Sequence, residues 1–367
     1  MVIFSFFSGV GMLDLGFQDA GFEIVSVNEY DESFMKAYQY ARKKQKNNIS
    51  FSSYYKGDIN DFMKQPLKER TRRQIELLRE KGELIGFIGG PPCPDFSVAG
   101  KNRGRDGENG KLAKSYIEVI NYFQPDFFFF ENVKGLIRTE RHKRYFDELK
   151  TNLKRNNYIL SEALLNALEF GVPQDRDRVI LIGINRFSVL AKRVIYVNNT
   201  FYFPWAMHKE YDVCNIKEMD WPTTQRYIKY SKRKFKYNVP KELTVEYWFI
   251  KNNVYQHTNS KDKFKVRNGQ ERIVTVDEGD VSRKSFKRLH RWRYSPTAAY
   301  GNNEVHLHPY RSRRLTVAEA MAIQSLPEWF ELPPNLALTD KFKMIGNGVP
   351  YLMAFKLAET LRDFFQI

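Results

Sequence analysis

Through the first half of the chain, short apolar runs alternate with stretches in which apolar residues recur every three or four positions. The runs predict strands at 2–7, 23–28, 84–88, 126–130 and 178–184, and the periodic stretches predict helices near 12–20, 31–45, 66–81, 112–123 and 141–156. Strands alternating with helices in this way build a parallel sheet covered by helices on both faces. The run "DFFFF" at 126–130 suits a strand buried on both sides. After about residue 190 the pattern changes. Basic and aromatic residues interleave without a clear period in "RYIKYSKRKFKY" (226–237) and "RKSFKRLHRWR" (283–293), each run holding six Lys or Arg and no acid. These features predict a second unit of irregular strands and loops. A helical pattern resumes at 316–324, and the final "GVPYLMAFKLAETLRDFF" reads as a helix with Pro350 in its first turn.

Composition narrows the choice of partner. The 367 residues are 42% hydrophobic and 15% aromatic, which places the chain among globular proteins with a sizeable core. The formal net charge of +16 calls for a polyanion, most often nucleic acid. A membrane surface is the poorer match, because no long basic amphipathic helix is evident and no apolar run approaches the roughly 20 residues of a membrane span. Asp14 interrupts the apolar start, which also lacks the basic leading region of a signal peptide. Cys93 and Cys214 are too few for a disulfide framework or a zinc site, so a reducing compartment and no metal are expected.

Candidate chemistry gathers where the expected strands end, the side of an open α/β sheet on which ligands bind. Phe7-Ser8-Gly9-Val10-Gly11 joins the first strand to the first helix, and its glycines let backbone amides approach a ligand. Glu29 ends the second strand, placed to hydrogen-bond ribose hydroxyls, and Asp58-Ile59 is positioned to flank an adenine. This pattern suits NAD and S-adenosylmethionine alike. "GGPPCPDFS" (89–97) follows the third expected strand and stiffens the backbone around Cys93, a candidate thiol nucleophile. Glu131-Asn132-Val133 ends the "FFFF" strand with a candidate proton donor, and Gln174-Asp175-Arg176-Asp177-Arg178 supplies guanidinium groups that either form an ion-pair network or meet a substrate carbonyl. A thiol adding to carbon 6 of cytosine would make carbon 5 nucleophilic, with charge on the ring stabilised at nitrogen 3.

The ordered set FSGVG (7–11), GGPPCPDFS (89–97), ENV (131–133), QDRDR (174–178), RRLTVAEAMAIQSLP (313–327) and GNGVP (346–350) resembles the DNA cytosine-5 methyltransferases, and it spans nearly the whole chain. The resemblance implies an α/β, Rossmann-like, mostly parallel sheet that binds S-adenosylmethionine, over 1–190 plus 335–367. It also implies a smaller, irregular, β-rich target-recognition domain over 191–334. Cys93 would be the nucleophile. Glu131 would meet ring nitrogen 3 and the amino group of the target cytosine, Arg178 its carbonyl, and Arg176 would brace the cysteine loop. Phe7, Gly9 and Gly11 would line the methionine end of the cofactor, Glu29 the ribose, and Asp58 with Ile59 the adenine, with Ser8 and Pro91 also among the cofactor-binding residues. Asn347 and Val349 would close the pocket, while the RLT segment with Glu319 and Gln324 would organise the recognition domain. The implied partner is double-stranded DNA, bound by a monomer in a prokaryotic cytoplasm, with a restriction endonuclease as functional counterpart.

Three positions depart from the family pattern: Pro94 stands where Gln usually follows the cysteine, Ala99 where many relatives carry a small hydroxyl residue, and Ala318 where an Arg precedes the acid of the RLT segment. None removes a group that the chemistry requires. The loop "GKNRGRDGENGK" (100–111) is a candidate lid. A tRNA methyltransferase on the same fold would have a short region between QDRDR and RLT, whereas roughly 135 residues intervene here. Neither a non-catalytic nucleic-acid module nor a nicotinamide-dependent oxidoreductase explains the cysteine loop together with Glu131 and Arg178.

Overall fold

The computed structural model describes residues 1–45, 53–92, 108–266, 269–297, 300 and 304–366. Its main layer is a nine-stranded sheet in the order β3-β2-β1-β4-β5-β8-β6-β10-β9. The strands are β1 (Val2–Phe6), β2 (Glu23–Glu29), β3 (Ser53–Lys56), β4 (Ile85–Gly89), β5 (Phe127–Val133), β6 (Tyr158–Asn166), β8 (Asp177–Asn185), β9 (Tyr196–Val197) and β10 (Thr200–Phe201), while β7 (Gln174–Asp175) lies outside this sheet. β3, β2, β1, β4 and β5 are mutually parallel. β8 runs antiparallel between β5 and β6, so its N-terminal residues Asp177 and Arg178 reach the same edge as the C-terminal residues of β5. That reversal places the QDRDR segment beside the ENV triplet.

Both faces are covered. On one, Phe17 of α1 (Met12–Asp19) and Leu357 and Leu361 of α11 (Tyr351–Phe365) pack with Ile3, Phe127, Phe129 and Ile182. On the other, Ile75 of α3 (Leu67–Glu80), Ile117 and Ile120 of α4 (Glu108–Phe123), and Phe146 and Leu149 of α5 (Glu140–Arg155) pack with Phe4, Phe87, Phe128 and Phe130. The phenylalanine run thus sends alternate rings into opposite cores, as strand geometry requires. α2 (Glu32–Lys44) follows β2, and its Phe34, Ala37 and Ala41 join a third core with Val317, Met321 and Ile323 of α9 (Val317–Ile323) and with Phe342 and Ile345 of α10 (Leu338–Asn347).

Residues 196–203, assigned by the sequence reading to the second unit, lie at the edge of the main sheet, and Phe201 and Phe203 pack in its core. Beyond them the described chain is irregular. It carries the short helices α6 (Val213–Glu218), α7 (Val245–Lys251) and α8 (Arg272–Thr275) and the two-residue strands β11 (Lys287–Arg288), β12 (Ser295–Pro296) and β13 (His306–Leu307). The β-rich character expected for this region therefore reduces, among the described residues, to two-residue pairings and isolated bridges. Side chains hold the loops instead. Arg288 is fully buried and donates to the carbonyls of Val276 (2.7 Å), His308 (2.6 Å) and Ile273. Arg291 is clamped on Glu278, with Nε–Oε1 at 2.7 Å and Nη2–Oε2 at 2.8 Å.

Candidate active site

The first turn is built on left-handed backbone. Phe7, Gly9 and Gly11 have φ of 53°, 58° and 81°, and a side chain in place of Gly9's hydrogen would meet open space. The strain of a non-glycine residue in this region is characteristic of functional turns. Ser8 is buried and internally spent: its Oγ donates to the Asn28 carbonyl at 3.0 Å, and its amide reaches the same oxygen. Glu29 faces this turn. Its Oε2 accepts from the Gly9 amide at 2.7 Å and its Oε1 from the Asp31 amide at 2.8 Å. Burial raises the Glu29 carboxyl above the ordinary carboxylate range, and the amides of Asp31 and Gly9 work against that rise.

Beneath the turn lies a buried polar group that sequence reasoning did not single out. Asp14, inside α1, accepts from Ser5 Oγ at 2.7 Å and from the Tyr38 hydroxyl at 2.9 Å, while Arg42 donates to the Gly11 carbonyl at 2.7 Å. Burial raises the Asp14 carboxyl, opposed by the charge of Arg42. The available signal was an acid at a helix position surrounded by apolar residues. Tyr30 belongs to none of the sequence motifs. It follows Glu29 directly and is 72% exposed, an aromatic face at the ligand-binding edge. Of the Asp58–Ile59 pair, Asp58 stays at that edge, capping the turn Ile59–Met63 through Oδ1 and the Asn60 amide at 2.8 Å. Ile59 packs in the core with Phe6 and Phe62.

At the neighbouring strand ends, Glu131 and Arg178 form a buried ion pair with Nε–Oε1 at 2.5 Å. The other carboxylate oxygen of Glu131 lies against Gly90, where an added Cβ would sit 2.6 Å from it. The second glycine of "GGPP" is thus a steric condition for the position of Glu131. Asn132 Nδ2 reaches the Pro91 carbonyl at 3.4 Å. Cys93, with Pro94, Ala99 and most of the candidate lid, lies outside the described residues.

The described contacts of Arg176 run to the GNGVP segment and Gln174, and most of the cysteine loop it was expected to brace lies outside the described residues. Its guanidinium donates to the carbonyls of Gly346 (2.7 Å) and Gly348 (3.0 Å), and to Gln174 Oε1 at 3.4 Å. The described part of the cysteine loop is not among these partners. Burial, with the like charge of Arg178, pushes Arg176 well below the ordinary arginine range. Arg176 thereby ties QDRDR to the GNGVP segment. In that segment Val349 is buried in the core shared by α1 and α11, whereas Asn347 is exposed. Gln324 also joins this segment, its Nε2 donating to the Ile345 carbonyl at 2.8 Å. Glu319 caps α9 with Thr316 and accepts from Arg313 at 2.6 and 2.8 Å.

Sequence comparison agrees with this geometry. The family model described as C-5 cytosine-specific DNA methylase matches residues 1–363. The Type II methyltransferase M.NmeDI of Neisseria meningitidis serogroup C is 48% identical over 365 residues, covering 100% of this chain and 84% of its own. M.FnuDI of Fusobacterium nucleatum is 29% identical, covering 99% and 96%. Among solved structures, an E. coli prophage chain proposed to be a DNA modification methyltransferase superposes with a TM-score of 0.67 at 22% identity, covering 100% of both chains. Dnmt2 methyltransferase from S. pombe gives 0.58 at 11% identity, covering 100% and 98%. These two structural likenesses bear on the fold alone. The chain is a methyltransferase and belongs to the C-5 cytosine-specific DNA methylase family.

Proposed function

We propose that this protein transfers a methyl group from S-adenosylmethionine to carbon 5 of a cytosine flipped out of double-stranded DNA, through a covalent Cys93 adduct. The observation that carries the reading is the buried Glu131–Arg178 pair held against Gly90, three residues before Cys93. The cofactor fits the residues present, with open space beside Gly9 and a buried carboxylate facing the turn. Phe7, Gly9, Gly11 and Pro91 would hold its methionine end, Glu29 its ribose, Asp58 and Tyr30 its adenine, and Asn347 with Val349 would close the site.

When bound, S-adenosylmethionine supplies an electrophilic methyl group. The Cys93 thiolate adds to carbon 6 of the cytosine, and the displaced electron pair makes carbon 5 nucleophilic. Glu131 holds a proton at ring nitrogen 3 and Arg178 donates to the carbonyl oxygen, so charge pushed onto the ring meets fixed partners in a dry site. Once carbon 5 carries the methyl group, loss of its proton to a base expels the thiolate and restores the aromatic ring. Residues 204–312 bind and recognise DNA. The similarity to M.NmeDI and M.FnuDI supports a Type II modification role paired with a restriction endonuclease, in the bacterial cytoplasm. We take the acting unit to be a monomer on DNA.

The test is the thiol. Cys93→Ala is expected to abolish methyl transfer to duplex DNA while leaving S-adenosylmethionine affinity nearly unchanged. Wild-type protein should be trapped covalently on DNA carrying 5-fluorocytosine, because fluorine replaces the carbon-5 proton whose loss would expel the thiolate. Turnover by the variant, or no trapped adduct, refutes the mechanism.

A further inference from the structure

The basic run 226–237 holds a loop that is locked from behind and bare in front. Ser231 donates its amide to the Ile228 carbonyl at 3.2 Å, closing a tight turn around Tyr230, whose φ is 55°. That region is rarely entered by residues with a side chain, and it persists only where surrounding contacts over-determine it.

Those contacts come from several segments. The Tyr230 amide donates to the Tyr310 carbonyl at 2.8 Å. The Tyr227 amide donates to Asp277 at 3.0 Å, and its hydroxyl meets Ser312 Oγ at 2.9 Å. Arg288 lies 3.8 Å over the Tyr227 ring. Arg291, already clamped on Glu278, extends Nη1 to the Ser231 carbonyl at 2.7 Å and Nη2 to its hydroxyl at 2.5 Å. Glu278 and Arg291 are 1% and 2% exposed, so a buried ion pair anchors this surface turn.

The side chains that the turn presents use none of this. Ile228 is 51% exposed and Tyr230 61%, with Lys229 exposed between them and its ammonium 5.3 Å from the Tyr230 ring. Arg226, Lys232, Lys234 and Lys236 flank them, all exposed. An isoleucine and a tyrosine displayed on a rigid, cation-fringed turn suit neither a solvated face nor an apolar protein partner. They suit a polyanion whose edge carries apolar and hydrogen-bonding groups inside a frame of phosphates. A duplex groove has this chemistry: phosphates position a protein, thymine methyls meet apolar side chains, and purine acceptors meet lysine or a hydroxyl.

We propose that Ile228, Lys229 and Tyr230 are specificity-determining residues that read base edges, and that the lysines and arginine around them contact phosphates. This rests on the reading of the protein as a DNA methyltransferase. Tyr230→Gly removes the ring while suiting the backbone, since glycine adopts positive φ readily. Ile228→Ala and Lys229→Gln make the same test without touching the strained position.

Wild type and variants would be mapped for methylated cytosines on genomic DNA by bisulfite sequencing, with S-adenosylmethionine binding measured in parallel to confirm the fold. Tyr230→Gly or Ile228→Ala is expected to relax one base pair of the site, with discrimination there falling roughly ten- to a hundredfold. Lys232→Ala should weaken all sites alike and lower the salt dependence of binding by about one unit of slope. An unchanged site in all three turn variants, or uniform loss at every site with no change of preference, overturns the proposal. Failure of the wild type to methylate any duplex refutes the parent reading instead.

Discussion

Two carboxylates at the ends of β2 and β5, with β1 and β4 between them, divide the work of the proposed site, and their surroundings say how. Glu131 shares its pocket with Arg178 and presses on Gly90, so anything that fills Gly90 must displace the carboxylate. Gly90→Ala is therefore expected to lower the single-turnover rate of methyl transfer by roughly 100-fold, the scale of a misplacement near 1 Å, while S-adenosylmethionine binds as before. If the variant instead lost cofactor affinity at full chemical rate, Glu131 would be on the wrong side of the reaction. Glu29 should behave oppositely. Its oxygens already accept from Gly9 and Asp31, which fixes them toward the turn. Glu29→Ala should weaken S-adenosylmethionine binding by about 1.5–3 kcal/mol, the range for a hydrogen bond to a charged group. It also leaves two amides without their acceptor, so Glu29→Gln should recover part of any stability lost. A binding titration and a thermal melt on both variants separate the two effects.

At the scale of elements, the recognition region carries an acid-sensitive feature. His290 and His306 are buried within it, and burial lowers them to about 4 and about 3, respectively. In the unfolded chain each takes up a proton as pH falls through about 6.5, whereas in the fold each stays neutral until its own lower pKa. Protons therefore bind preferentially to the unfolded state between those limits, and stability falls as pH drops through this window. At pH 5 each histidine costs about 2 kcal/mol relative to neutral pH. The melting temperature should fall steeply from pH 7 to pH 5, and less so in His290→Gln. A flat profile refutes the burial of these rings. The same region shows what the sequence could not convey. The five expected strands match β1, β2, β4, β5 and β8 within a few residues, because a strand buried on both faces is a continuous apolar run visible in one dimension. β3 is four residues of alternating exposure, and β6 follows α5 almost directly with polar residues in its middle, so neither stands out. The run 283–293 contributes six cations to the formal charge, yet Arg288 and Arg291 are buried and hold loops together. Periodicity carries no information about an arginine whose partners are distant carbonyls. The candidate site residues could be placed from sequence because they sit at strand ends that the apolar runs define. The tie from Arg176 to Gly346 and Gly348 was not legible, since these partners lie 170 or more residues along the chain.

Across the whole molecule, the chain leaves its main sheet after Phe203 and returns with α9, α10 and α11 to finish the cores that α1 and α2 began. Residues 204–312 hold 22 Lys or Arg against 12 Asp or Glu, a net +10 of the chain's +16, and none of the groups assigned to chemistry. Long-range attraction for DNA is thus concentrated in a segment that the catalytic fold encloses at both ends. Exchanging this segment for that of a relative should move the methylated site while Cys93 chemistry persists. The packing dictates where to cut. A junction at 190/191 would remove Phe201 and Phe203 from the first core, so the upstream junction belongs after Phe203. The downstream junction belongs before Arg313, which keeps the Arg313–Glu319 pair and the capped start of α9 together. Val245, Trp248 and Phe249 of α7 pack in the same core as Val317 and Met321, so the donor segment must keep an apolar face there. A chimera built this way, mapped by bisulfite sequencing, is expected to methylate the donor's site at a rate near that of the parent. An active chimera that kept the recipient's site would place specificity in the catalytic sheet and its loops. The charge of 204–312 would then serve only to hold the duplex.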